Sequence, residues 1–113
     1  MIDTPIELKE ALCRLFPEFT AELDDDGEVK FGCEMPLTYH HIWLTFGPIS
    51  NKCLAQASNK AVKQFGEIIN YMVASGGEKE NSVSTCLLEH ASQLKIIKIL
   101  KPLLNTDAKA ELA

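Results

Sequence analysis

The sequence predicts a mainly α-helical single domain over residues 1–113, a bundle of about five helices or a set of stacked antiparallel helix pairs. Three observations lead there. Apolar residues recur at helical spacing through most of the chain. Helix-starting and helix-stopping residues bracket those runs. The balance of 46% hydrophobic and 24% charged residues is that of an ordinary globular protein. At 113 residues the chain has room for one domain with a core of its own.

The first helix is announced by Thr4-Pro5-Ile6-Glu7. Thr4 can cap the free N–H groups, Glu7 can reach back, and Pro5 lacks a donor where none is needed. Ile6, Leu8, Leu12, Leu15, Phe16 and Phe19 follow at helical spacing, and Pro17 should end or kink the helix near Phe16. Next, Phe19, Ala21 and Leu23, then Val29 and Phe31, alternate with polar residues on either side of Asp26-Gly27. That pattern predicts a short β-hairpin near residues 19–33, leaning on the helices. The stretch "PLTYHHIWLTFGP" reads both ways: Tyr39, Ile42, Trp43 and Phe46 have helical spacing, yet the composition favours strands.

Pro48 is a candidate first residue of another helix, whose apolar face runs from Ile49 through Phe65 to Met72. Ser58-Asn59 is a candidate break within it, and Ser75-Gly76-Gly77 should stop it. "GEKENS" reads as a polar loop. Val83, Cys86, Leu87, Ala91 and Leu94 predict a further helix continuing through Leu100 to Pro102. Asn105 or Thr106 caps a last short one.

The formal net charge is −5, and it is unevenly placed. Residues 1–34 carry ten acidic and three basic side chains, whereas residues 35–113 carry six and eight. Such a balance opposes binding to a phosphate backbone. Lys95, Lys98 and Lys101 form a modest stripe that a solvated helix face explains. "MIDTPIELKE" lacks the pattern of a secretory signal, and no apolar run approaches the ~18–20 residues that cross a membrane. The expectation is a cytoplasmic protein whose cysteines stay reduced, without membrane or nucleic-acid partners.

Phosphate-binding glycine loops, the H-E-x-x-H zinc motif and the G-x-S-x-G elbow are all missing. The best chemical candidate is Cys86 with His90, spaced i, i+4 on the predicted helix. Cys33 and the pair His40-His41 lie elsewhere in the chain, so only two zinc ligands have useful local spacing. Core packing of Cys86 beside a hydrogen-bonded His90 is the simpler account. Asp24-Asp25-Asp26-Gly27-Glu28 lacks the alternating ligands of a calcium loop. The expectation is therefore no enzyme activity, no metal and no cofactor.

Three stretches, "LCRLFPEF", "HHIWLTFGPISNKCL" and "VSTCLLEHAS", together resemble small, largely helical bacterial proteins. Some of these look like immunity proteins encoded beside polymorphic or contact-dependent toxins. The chain departs from them in its longer Gly27–Thr38 region and at His90. The resemblance implies tight, non-catalytic binding of a cognate toxin domain. An acidic inhibitor reaches a basic toxin cleft quickly by electrostatic steering. The candidate contact residues are Glu22, Asp24, Asp25, Asp26 and Glu28. The alternative is a regulatory or scaffolding module that binds through an apolar groove containing Tyr39, Trp43 and Phe46.

Overall fold

The first helix, α1 (Pro5–Leu15), begins at the expected cap. Thr4 Oγ1 accepts the Glu7 N–H at 3.2 Å, and Glu7 Oε1 accepts from the Asp3 N–H and the Thr4 hydroxyl at 3.1 Å each. Both oxygens thus satisfy groups at the helix start. Leu8, Ala11 and Leu12 face inward. Phe16 leaves the helix at φ −130°, and Pro17 opens the short α2 (Pro17–Thr20) in a new direction. The bend turns both Phe16 and Phe19 fully inward.

This computed structural model describes residues 2–23 and 37–112, and among them no strand occurs. The first arm of the expected hairpin is helix and turn. Glu22 N–H donates to Phe19 O at 2.9 Å and Leu23 N–H to Thr20 O at 3.2 Å, bonds of a tight turn. Phe19 and Leu23 also stand four apart, so the same five residues that alternate like a strand offer a helical contact to the core. The rest of the expected hairpin lies outside the described residues.

The ambiguous stretch is helical. α3 (Tyr39–Phe46) is capped by Thr38, whose hydroxyl accepts the His41 N–H at 3.2 Å. Tyr39, Ile42, Trp43 and Phe46 are all buried. A 3-10 turn, Gly47–Ile49, carries Pro48 into α4 (Ser50–Gln56). The break at Ser58 is real: Ala57 is extended, and Ser58 Oγ accepts the Ala61 N–H at 3.1 Å to start α5 (Asn59–Ser75).

Gly76 and Gly77 then take positive φ values of 69° and 58°, conformations that side chains resist. The polar segment expected to be a loop is instead helical, forming α6 (Gly77–Cys86). Glu78 and Glu80 occupy its first turn, where negative charge suits the helix dipole. Only Val83 is a buried apolar residue on this helix; Ser82 and Ser84 are buried beside it, and Ser82 Oγ donates to Lys79 O at 3.0 Å.

The expected helix from Val83 to Leu100 is interrupted. Leu87 departs from helical backbone at φ −125°, a 3-10 turn spans Leu88–His90, and Lys95 is left-handed at φ 62°. The interruption lets Leu87, Leu88, Ala91, Ile96 and Leu100 all reach the interior. α7 (Ile97–Leu100) leads into the 3-10 turn Lys101–Leu103, and α8 (Thr106–Lys109) starts at Asn105, whose side chain accepts the Ala108 N–H.

α5 packs on α6, α6 on α3, and α1 on both α3 and α5. Phe16, Phe19, Trp43, Phe46 and Phe65 meet at their centre, with neighbouring ring centroids 5.3 to 6.2 Å apart. Tilted and edge-on ring pairs of this kind contribute about 0.5–1.5 kcal/mol each beyond burial. No helix among the described residues is long and apolar enough to cross a membrane.

Candidate functional site

Of the five candidate contact residues, Glu22 is described and Asp24, Asp25, Asp26 and Glu28 lie outside the described residues. Glu22 is half-buried in the turn after α2. Glu18, also half-buried, stands on α2 one turn earlier. The two carboxylates act on Cys53 of α4: burial first, then Glu18, pushes that thiol up to about 11, with Lys52 opposing and Glu22 adding to the rise. Glu18 and Glu22 thus lie near enough to α4 to act on Cys53.

Two other described carboxylates of this region, Asp3 and Glu7, are used differently. Asp3 Oδ1 accepts from Lys79 Nζ and from the Tyr71 hydroxyl, both at 2.9 Å. The Lys79 hydrogen bond, then that of Tyr71, holds the Asp3 carboxyl below its ordinary range. Glu7 is committed to the α1 cap. Asp3 is thus paired internally with Lys79 and Tyr71.

Cys86 and His90 do not share a helix face. Cys86 ends α6, His90 ends the 3-10 turn, and the non-helical Leu87 separates them. Both line a shallow pocket of about 230 Å³ with Trp43, Leu44 and Leu94. His90 Nδ1 donates to Gln93 Oε1 at 2.9 Å, and burial raises the Cys86 thiol, away from the thiolate that nucleophilic chemistry needs. His40 and His41 lie apart from them: His40 Nε2 accepts from Asn81 Nδ2 at 3.3 Å, and His41 Nδ1 is buried with no hydrogen-bond partner among the described residues. Among the described residues no three His, Cys, Asp or Glu side chains converge in a way that could hold a metal ion.

Tyr39, Trp43 and Phe46 are core residues, with 6%, 0% and 0% exposure, so they form no exposed aromatic face, although Trp43 borders the shallow pocket beside Cys86. Two other features have no counterpart in the sequence pattern. A groove of about 340 Å³ runs between α1 and α5 over Ile2, Leu15, Ile68 and Tyr71, with Arg14 and Glu67 at its edges. Glu80, Ser84 and Glu111 share a pocket of about 190 Å³. Ser84 Oγ donates to Glu111 Oε2 at 2.6 Å. Hydrogen bonding to Glu111, then burial and the charges of Glu111 and Asp107, raises the Glu80 carboxyl above its ordinary value. Partners on separate elements leave no spacing signal in a linear sequence.

Comparison with protein-family models, with curated proteins and with solved structures finds no match to this chain.

Proposed function

We propose that this chain works by non-catalytic association with a positively charged protein, as a cytoplasmic immunity-type protein that neutralises a bacterial toxin domain. One observation carries the reading. Helix α2 is keyed into the core by the fully buried Phe16 and Phe19; it bears Glu18, and Glu22 follows in the turn after it, shortly before Asp24, Asp25 and Asp26 in the sequence. Charge on a fixed base steers an oppositely charged partner without first having to be ordered.

Co-expression with the toxin encoded next to it is the direct test: protection of the host cell is expected, and no protection against any neighbouring toxin overturns the reading. Reversing Asp24, Asp25 and Asp26 to lysine should slow association and flatten its salt dependence. Unchanged association kinetics would remove the acidic run from the interface.

A second reading draws on the α1–α5 groove, which offers a regulatory or scaffolding contact an apolar floor between two opposite charges. Binding that survives the triple lysine reversal but is lost in Arg14→Glu would favour it.

A further inference from the structure

The C-terminal segment is fastened at two points. Asn70 on α5 secures its beginning, donating from Nδ2 to Leu103 O at 3.1 Å and accepting the Asn105 N–H on Oδ1 at 3.0 Å. Glu111 secures its end by accepting the Ser84 hydroxyl of α6. Glu80 stands one turn before Ser84 on the same helix and lines the same small pocket as Glu111. Two carboxyl groups from different elements therefore meet over one helix face.

The charges around this meeting point are negative. Glu111 and Asp107, both from the C-terminal segment, act on Glu80. Lys79, the adjacent cation on α6, is turned to Asp3 on the N-terminal strap. Asn81 spends its amide on His40 and Thr85, and α5 contributes the uncharged Asn70 to the segment. Two ionised carboxylates lining one small pocket repel, whereas a proton on Glu80 lets it donate an O–H···O⁻ hydrogen bond to Glu111.

We propose that residues 106–112 form a proton-operated clasp, closing on α6 when Glu80 carries a proton and opening more often when Glu80 is ionised. The fully buried Ala108, and Leu112 packed on the core, keep the segment attached in either state. Protonation therefore changes how often it opens, not whether the protein folds.

Amide hydrogen exchange of residues 106–112 tests this at pH about 5 and about 7.5, corrected for intrinsic exchange, with α5 as the internal reference. In the unaltered protein the segment is expected to open measurably less often at the lower pH, since the raised Glu80 carboxyl holds a proton more readily in the closed form. Glu80→Gln, whose amide donates to Glu111 at either pH, should stay closed at both. Equal opening of the unaltered protein at the two pH values overturns the proposal. So does a pH dependence that Glu80→Gln leaves intact, or one that appears equally in α5.

Discussion

Gly66 of α5 lies so close to the turn Lys101–Leu103 that a β-carbon placed on it would stand 2.7 Å from Leu103 Cβ. That atom sits next to the backbone and cannot swing aside as a side-chain tip would. Gly66→Ala gains up to about 1 kcal/mol of helix preference but meets an overpacking cost of about 1–3 kcal/mol. A net loss of up to about 2 kcal/mol is expected by urea denaturation. A gain of stability would show that the turn yields at no cost.

Phe16 sits between Phe46 and Phe65, with centroids 5.4 and 5.3 Å away. Phe16→Ala should cost about 3–5 kcal/mol, through lost transfer energy and the cavity left behind. The single tryptophan, Trp43, is 6.2 Å from Phe46 and 6.1 Å from Phe65, so its fluorescence reports loosening of the cluster directly. An unchanged melting temperature with an unchanged emission maximum would contradict this account of the core.

The ion pair of Asp3 and Lys79 has a defined pH window. Asp3 is lowered in the folded protein, so its contribution is present above the unfolded carboxyl pKa and is lost as pH falls through the lower folded value. Lys79 is raised, chiefly by its hydrogen bond to Asp3, so its contribution is present below the unfolded amine pKa and is lost as pH rises through the higher folded value. Asp3→Asn should therefore lower the melting temperature slightly at neutral pH and leave it unchanged in strong acid. The size is that of an exposed pair. An equal effect at both extremes would place the contribution of Asp3 elsewhere.

Lys95 holds a left-handed backbone at φ 62°, and its carbonyl accepts from Asn51 Nδ2 at 3.2 Å. A side chain in that region costs about 1–2 kcal/mol, and a glycine avoids the cost at the expense of about 0.4–1 kcal/mol of unfolded-state freedom. Lys95→Gly should raise stability by up to about 1 kcal/mol, measured by the denaturation midpoint at constant slope. A loss would mean that the lysine side chain contributes a contact larger than the strain.

The parts of this fold legible in the sequence are those where one residue does one local job. Thr4, Ser58 and Asn105 cap helices because a short polar side chain before an apolar run has few better uses. Tyr39, Ile42, Trp43 and Phe46 read as one face, and that face is buried. Helix α6 is hidden in the sequence because serines, not apolar residues, fill two of its inward positions, so no apolar period appears. The break after Cys86 is hidden for the opposite reason: Leu87, Leu88 and Ala91 keep an apparent helical rhythm, while the backbone turns to bury all three. Phe19 to Leu23 is too short a stretch for alternation to separate strand from turn. At the candidate site, sequence located the charge but not its partition. That Asp3 spends its charge on Lys79 depends on the start of α1 and α6 meeting in space.

The bend at Phe16-Pro17 has a consequence for genetics. Because Phe16 and Phe19 reach the aromatic centre from the same short segment that bears Glu18 and Glu22, the chain's negative pole and its keystone occupy adjacent positions. Deleting the amino-terminal third would collapse the molecule before revealing anything about charge. Substitutions on the outer side of that bend, such as Glu18→Lys, change its charge and leave the keystone in place.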